Sequence, residues 1–371
     1  MNTERVRLAA VVFVVLFTQL LVYPGIEELV AALGADPTID ASTAFLAVQL
    51  AAFVLFSTAW GVVSDRTGRR VPFIVTGAVG GAATYLALVA AVATDAAGFR
   101  AALALRFLEG AGAAGIAIGA GAALGAPVGG QLYAVGPLAP LAASAGLLVA
   151  VAALVATVPD RALSRDGGLR AVLSGLRRTP ALLIPYAFGF ADRFTAGFFG
   201  LVGTLYFGRT FDLDPAATGL VLACFFVPFA LLQYPLGALS DRIGRVAPIV
   251  VGSVGYGLAI VGVGLAPTVP TAAAGMVVVG VLGALVAPAT MALVTDLAAA
   301  GERGAAMGGF NVFGSLGFLG GILVGSGIAD AYGFLAAFLV AGGLEAGVVL
   351  VALPTLVRTV PDPTATFGES R

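Results

Sequence analysis

The chain has 371 residues, of which 60% are hydrophobic and only 11% are charged. A water-soluble globule of this size needs far more polar surface, so the composition predicts a protein of the lipid bilayer. The net charge of −1 and the lack of a basic tract give no reason to expect a nucleic-acid partner. With no histidine and a lone Cys224 in an apolar run, the sequence argues against a metal site, a cofactor or an enzyme active site.

A membrane-spanning helix needs about 20 apolar residues, and this length divides the chain into two sets of candidate spans. The first run follows a basic start like that of a signal peptide, but it is long and has no convincing cleavage site. We therefore interpret it as a retained first helix. The first set of predicted spans is 8–33, 43–63, 71–93, a difficult stretch over 99–135, and 138–158. The second set is 181–207, 216–239, 248–266, 271–294, 304–328 and 335–357.

The longest polar stretch separates these two sets and is the predicted linker. The predicted organisation is an N-terminal membrane bundle over 1–158, a cytoplasmic linker over 159–180, a C-terminal membrane bundle over 181–358 and a cytoplasmic tail over 359–371. Arginine-rich loops stay in the cytoplasm, and nearly all arginines fall on one side of this division, with Arg100 and Arg209 as exceptions. Both termini and the linker are therefore predicted to be cytoplasmic.

One short charged turn occurs twice in this apolar chain. GVVSDRTGRR runs from Gly61 to Arg70, and GALSDRIGR runs from Gly237 to Arg245, 176 residues later. The repeat indicates an internal duplication whose copies do the same job. Each copy falls in the predicted cytoplasmic turn between the second and third helix of its half.

The residue types of the turn suggest a conformational latch. A glycine allows two helices to approach, an aspartate accepts hydrogen bonds from the N–H groups at a helix N-terminus, and an arginine pairs with carboxylates or lipid phosphates. The alternative is that the arginines only fix the topology. The predicted latch residues are Gly61, Asp65, Arg66, Arg69, Gly237, Asp241, Arg242 and Arg245.

These turns are similar to the signature turn of the major facilitator superfamily. Two further stretches resemble motifs of that family: Arg106-Phe-Leu-Glu109-Gly110-Ala-Gly112 is similar to its fourth-helix motif, and the Gly-rich run of Gly121, Gly125, Pro127 and Gly129 resembles the fifth-helix motif of its antiporter branch. The second run has Ala126 as an extra residue. The resemblance implies an all-α polytopic fold of two pseudo-symmetric bundles and about twelve helices, with a cavity between the bundles and alternating access.

Ionisable residues inside a bilayer cost about 2.5–3.5 kcal/mol each on insertion scales, so each one needs a partner or a use. Arg106 and Glu109 are three residues apart and can neutralise each other on one helix face. Asp192 and Arg193 are adjacent, so at least one of them is expected to need a partner elsewhere. We assign these four residues to a proton or substrate pathway facing the cavity.

Further polar residues in the predicted spans are Glu345, Glu27, Glu28, Gln19, Gln49, Gln233, Tyr234 and Asn311. For any one of these, an interhelical hydrogen bond is the simpler explanation.

The first half is about 20 residues shorter than the second just after Gly110. This deficit falls on the fourth helix and the loop to the fifth. Because the arginine-rich loops require an even number of crossings, residues 99–135 are predicted to form two shortened helices with a tight turn near Gly112 to Gly121. Arg106 is then expected to be drawn towards the cytoplasmic interface.

Energy for transport has to come from a gradient, because the sequence has no G-x-x-x-x-G-K-[ST] loop for a nucleotide. The resemblance to the antiporter branch implies proton-coupled efflux of a small organic solute by a monomer in the cell membrane. An uptake symporter for a sugar or organic anion is the first alternative. A membrane sensor or a decayed transporter is the second, since the shortened region bears on activity.

Overall fold

The structure is a computed structural model, and it describes residues 14, 17–67, 69, 71–94, 98–113, 122–157 and 169–359. Every regular element in this part of the chain is a helix, and eight of the helices are long and apolar enough to cross a membrane. The predicted all-α, multi-pass membrane fold is therefore confirmed. The chain divides into two compact units, one formed by residues 1–168 and 199–223 and the other by residues 169–198 and 224–371.

The first unit opens with a helical segment at residues 17–21. Its further helices are α1 (Ile26–Ala32), α2 (Ile39–Thr67), α3 (Val71–Ala93), α4 (Phe99–Ala113), α5 (Ala122–Tyr133) and α6 (Ala139–Ala156). Within this unit α3 packs against α6, and α4 packs against both α2 and α3. Arg106 and Glu109 of α4 are therefore enclosed by neighbouring helices, whereas Arg100 near its start is exposed.

The helices of the second unit are longer. They are α7 (Leu169–Arg178), α8 (Leu183–Phe198), the greater part of α10 (Pro215–Ile243), α11 (Val246–Gly264), α12 (Val269–Leu297), α13 (Arg303–Tyr332) and α14 (Phe334–Thr359). α8 packs mainly against α13 and also against α14, while α11 packs against α12 and α14. Buried side chains of α8, α11, α12 and α14 form an apolar core between these helices.

The span predicted over residues 181–207 is not one continuous α-helix. It begins with a 3-10 turn at Pro180–Leu182, continues as α8, passes through a π-helical turn at Phe199–Gly203 and ends as α9 (Thr204–Phe211). The π turn begins where the chain passes from one compact unit to the other. Turns of this kind often mark functional sites within helices.

Within residues 99–135 the structure describes two helices, α4 and α5, as predicted; the tight turn predicted near Gly112 to Gly121 lies largely in residues 114–121, outside the described part. Arg106 bonds to Gln49 and the Ala111 carbonyl accepts from Trp60, so α4 runs parallel to α2. α5 runs parallel to the first segment of the chain instead, since Gly125 contacts Phe17 whereas the Tyr133 hydroxyl bonds to the Val22 carbonyl. α4 has 15 described residues and α5 has 12, and both border the undescribed residues 114–121.

Glycines on α5 lie against the backbone of the first helical segment. A Cβ atom added at Gly129 would lie 2.3 Å from the Leu21 carbonyl oxygen, and one at Gly125 would lie 2.7 Å from the Phe17 carbonyl oxygen. Pro127 lies between them on α5, half-buried, and Gly121 lies outside the described part. The two glycines are one helical turn apart, so they form one packing face.

We expect Gly129→Ala to lower the free energy of unfolding by about 1–3 kcal/mol, because the added methyl group overlaps the Leu21 backbone and cannot be accommodated without a shift. Thermal unfolding of the purified protein in detergent measures the effect. Gly146→Ala on α6 is the matched control, since no atom lies within 4 Å of the added Cβ. Equal behaviour of the two variants would contradict the packing assignment.

Candidate functional site

Arg106 is the centre of a buried polar network in the first unit, although it lies in the apolar α4. Its side chain is 1% exposed, and the guanidinium is enclosed by α2, α3 and α4. One terminal nitrogen, Nη1, donates to Glu109 Oε2 at 3.1 Å and to the Tyr85 hydroxyl at 3.3 Å. The other, Nη2, donates to the Gln49 side-chain oxygen. We call Arg106, Glu109, Gln49 and Tyr85 the α4 network.

Aromatic rings complete the surroundings of the arginine. Its central carbon, Cζ, lies 4.7 Å from the centroid of the Phe45 ring and 5.7 Å from that of the Tyr85 ring. Both distances are within the range of cation–π attraction. Within the described residues, Arg106 Nε has no hydrogen-bond acceptor. The network is thus closely packed and still has one buried donor to offer.

The expectation that Arg106 is drawn to the cytoplasmic interface is wrong. Arg106 is the eighth residue of the 15-residue α4, and it bonds to a glutamine that also lies inside its helix. A buried charge is tolerated where an opposite charge and hydrogen-bond partners compensate for lost hydration. Glu109, Gln49 and Tyr85 provide that compensation, so the arginine has no need to reach a polar surface.

Close backbone contact between α2 and α4 holds this network in place. A Cβ atom at Gly110 would lie 2.0 Å from the Gln49 carbonyl oxygen, so only glycine fits next to Glu109 without displacement of α2. The Trp60 ring nitrogen donates to the Ala111 carbonyl at 2.7 Å. These contacts fix the position of α4 along α2 and therefore the distance from Gln49 to Arg106.

Asp192 and Arg193 lie together on α8 in the second unit. Arg193 Nε is 3.8 Å from Asp192 Oδ2, and the two side chains are 30% and 12% exposed, respectively. The adjacent residues therefore pair loosely with each other. Asp192 also has electrostatic neighbours on other helices, Tyr256 on α11 and Glu345 on α14.

Sequence reasoning missed two uncharged members of this cluster. The Thr195 hydroxyl donates to Glu345 Oε1 at 3.3 Å, and Tyr256 lies near both carboxylates. All three of these residues are buried. Single threonines and tyrosines are common in apolar helices, so residue type alone did not identify Thr195 or Tyr256. The spacing of Thr195, three residues after Asp192 on the same helix face, was the one signal available. We call Asp192, Thr195, Tyr256 and Glu345 the acidic cluster.

The second copy of the charged turn forms an ion-pair network around Arg245. Arg245 Nη1 lies 2.5 Å from Asp241 Oδ1 and 3.2 Å from the Ser240 hydroxyl, and Nε lies 3.1 Å from Asp296 Oδ2 at the end of α12. The sequence indicated a backbone N–H partner for Asp241, whereas its partner here is the Arg245 guanidinium. Arg242 is exposed. Gly237 lies at a close approach, since its Cβ would be 3.3 Å from Pro288 on α12.

The first copy of the turn is only partly described. Arg69 is exposed, while the side chains of Asp65 and Arg66 lie outside the described residues, although both fall in α2. Gly61 is likewise in α2. Asp296 lies in the segment whose counterpart the sequence predicts to be missing from the first half.

Replacing Asp296 by Asn should have little effect on stability and a larger effect on conformation. Asp241 and Asp296 are 64% and 52% exposed, so their ion pairs are worth about 1 kcal/mol or less. If the turn is a latch, Asp296→Asn shifts the protein towards the cytoplasm-open state. Labelling of single cysteines on each face, in a Cys224→Ser background, measures the shift. Asp330→Asn, an exposed acid on α13, is the control, and unchanged labelling in Asp296→Asn would contradict the latch.

An ion pair also joins α9 to α1 within the first unit. Arg209 donates through two nitrogens to Glu27 and, at 3.2 Å, to the Pro37 carbonyl. Glu28 follows on α1, near the Asp214 carboxylate. Glu27 and Glu28 therefore make the first turn of α1 polar.

The comparisons with known proteins agree with this architecture. Residues 186–370 match the family model of the Major Facilitator Superfamily. No curated protein sequence matches the chain. Among solved structures, the chain is similar to the nucleoside transporter NupG, with 13% identity and a TM-score of 0.71 over 96% of this chain and 99% of that one.

Two further solved structures share the fold. The human organic anion transporter MFSD10 is 18% identical, with a TM-score of 0.64 over 95% of this chain and 100% of that one. A bacterial homolog of the human lysosomal transporter Spinster is 13% identical, with a TM-score of 0.70 over 98% of this chain and 100% of that one. At these identities the likeness concerns the fold alone.

The fold and the buried charges define a multi-pass helical membrane protein with polar clusters inside both compact units. Residues 186–370 match the Major Facilitator Superfamily model, and nearly the whole chain shares the fold of the transporters named above.

Proposed function

We propose that the protein is a secondary active transporter that moves a small organic solute across the membrane by alternating access, driven by protons, in the direction of efflux. The single observation that carries the proposal is the α4 network. A buried arginine with its carboxylate costs more in a membrane helix than apolar side chains of the same size. The presence of this buried ion pair in the core of the first unit therefore supports a role in transport, either in binding a polar solute or in coupling to protons.

The proton is assigned to the carboxylates. The chain has no histidine, so a proton that crosses with the solute has to bind to Asp or Glu. Asp192 is mostly buried and has Arg193 beside it, while Glu109 is 3% exposed and paired with Arg106. In each pair the arginine stabilises the ionised carboxylate, and withdrawal of the arginine during a conformational change would favour protonation. This supplies a mechanism for coupling.

The proposal also includes the orientation of the chain, its oligomeric state and the role of the duplicated turns. Both termini lie on the cytoplasmic side of the cell membrane, the protein acts as a monomer, and the duplicated turns stabilise the state that is closed to the cytoplasm. The Arg245 network supports the last point, since Arg245 joins the turn to α12. Cell labelling of cysteines placed at residues 3 and 365 tests the orientation of the termini.

An uptake symporter for a sugar or organic anion is the alternative. Solved structures with this fold include proteins described as a nucleoside transporter and an organic anion transporter. The Arg193 side chain is 30% exposed, so its guanidinium is accessible to an anionic solute. Direction of flux separates this alternative from efflux, and the absence of any flux would favour a sensor or a decayed transporter.

The test is transport by the purified protein in proteoliposomes. A panel of labelled anionic, neutral and cationic organic solutes is first screened for thermal stabilisation of the protein, and the binders are then tested for flux with and without an imposed pH gradient. Proton-coupled efflux predicts that solute accumulates in vesicles that are acidic inside, as in antiport. Accumulation only in vesicles that are acidic outside supports the symporter. No flux of any stabilising solute would refute transport.

A further inference from the structure

Glu345 is the most enclosed carboxylate in the described part of the chain. It lies near the middle of α14, and its side chain is 0% exposed. Oε1 accepts a hydrogen bond from the Thr195 hydroxyl at 3.3 Å, whereas Oε2 has no hydrogen-bond partner among the described residues. The Tyr256 hydroxyl is also buried and without a partner in that part of the chain. The acidic cluster thus contains two buried polar atoms that none of the described residues satisfies.

Among the described residues, no cation forms an ion pair or hydrogen bond with Glu345. α8 contributes Asp192 and Thr195, and Arg193 Nε lies 3.8 Å from Asp192 Oδ2. α11 contributes the neutral Tyr256. The charged residues of α13, Arg303 and Asp330, lie at its two ends, far along the helix from the level of Glu345. Among the described residues, the charged group that acts electrostatically on Glu345 is another acid, Asp192.

An ionised Glu345 is strongly disfavoured in these surroundings, so the neutral acid is the resting form. A buried charge needs an opposite charge or several hydrogen bonds, and the cost of leaving one unpaired greatly exceeds that of an unpaired neutral hydroxyl. A carboxylate beside a second carboxylate is disfavoured further by repulsion. The neutral acid, with Oε1 as the carbonyl that accepts from Thr195 and Oε2 as the hydroxyl, fits the observed contacts.

The geometry points to Glu345 as a proton-binding site of the second unit, with Asp192 as the residue through which its proton exchanges. Asp192 lies one helical turn before Thr195 on the same face of α8, and its side chain retains 12% exposure. Glu345 itself has none. The proton leaves one carboxyl oxygen and binds to the other, so the pair keeps a total charge of −1 and no other group is consumed. This proposal adds a proton-binding site to the proposed proton coupling. It rests on that proposed function, because the exchange drives transport only if solute movement is coupled to protons.

Infrared difference spectroscopy of the full chain in lipid tests the site without any transport assay. A protonated carboxyl group has a C=O stretching band separate from those of ionised carboxylates. We expect this band at neutral pH in the wild type, its loss in Glu345→Gln, and its retention in Glu109→Gln, whose parent carboxylate is paired with Arg106. Thr195→Val should move the band to higher wavenumber, because the carbonyl loses its hydrogen bond. If Glu345→Gln does not fold, the band shift in Thr195→Val still identifies Glu345 as the protonated carboxyl group.

Exchange into heavy water tests the role of Asp192. The Glu345 band should shift on deuteration, and the shift should be several-fold slower in Asp192→Asn than in the wild type. Absence of the band, or a band insensitive to both Glu345→Gln and Thr195→Val, would overturn the site. If the Glu345 band disappears when choline chloride is replaced by sodium chloride, the cluster binds sodium and not a proton. An unchanged exchange rate in Asp192→Asn would overturn the exchange route. Transport can fail in any of these variants without affecting the spectra, so the two proposals fail separately.

Discussion

Replacing Arg106 by Met should lower the free energy of unfolding by about 3–5 kcal/mol, one of the two largest effects expected for this protein. The substitution removes the cation that Glu109 is bonded to at 3.1 Å and leaves Gln49 and Tyr85 without their common donor. All of these groups are buried, so water cannot replace the lost contacts. Unfolding of the purified protein in detergent, by heat or by denaturing detergent, measures the change.

Two variants show whether the loss comes from the uncompensated carboxylate. Arg209→Met removes a partly exposed ion pair with Glu27 and should cost about 1 kcal/mol or less. The double variant Arg106→Met/Glu109→Leu removes both buried charges and should recover much of the stability while transport remains lost. A single Arg106→Met variant as stable as Arg209→Met would mean that the α4 network does not stabilise the first unit.

Replacing Asp192 by Asn should abolish proton-driven flux and leave solute binding measurable. Asn has nearly the size of Asp but cannot bind and release a proton, so the change removes coupling with little disturbance of packing. Asp192 is the more exposed carboxylate of the acidic cluster, which makes it the one that reaches solvent or solute. Flux in proteoliposomes and thermal stabilisation by the solute measure the two properties separately. Asp330→Asn on α13 is the control, and normal gradient-driven flux in Asp192→Asn would disprove its role.

Much of the fold was predictable, because length and hydropathy alone limit what a membrane segment can be. The short α4 and α5 followed from counting residues between arginine-rich loops, and the Arg106–Glu109 pair followed from their spacing on one helix. Both predictions used only local geometry and the cost of charge in a bilayer.

The partners of these charges were less predictable. Gln49 was one of many polar residues in the predicted spans, and nothing local distinguished it from Gln233. The position of Arg106 in the structure depends on Gln49 and Tyr85 from two other helices, and that information exists only in the packing. The π turn at Phe199–Gly203 was missed for a similar reason, since its glycines are equally typical of a packed α-helix.

The most direct test of the account is to measure solute and protons in the same proteoliposomes. Vesicles containing the protein and a trapped pH indicator are given a solute that stabilises the protein, and solute flux and internal pH are followed together. Proton-coupled antiport predicts that solute entry is accompanied by proton exit, that a protonophore removes the pH change, and that Asp192→Asn shows neither gradient-driven flux nor proton movement. Solute flux without any accompanying pH change in the wild type would contradict it.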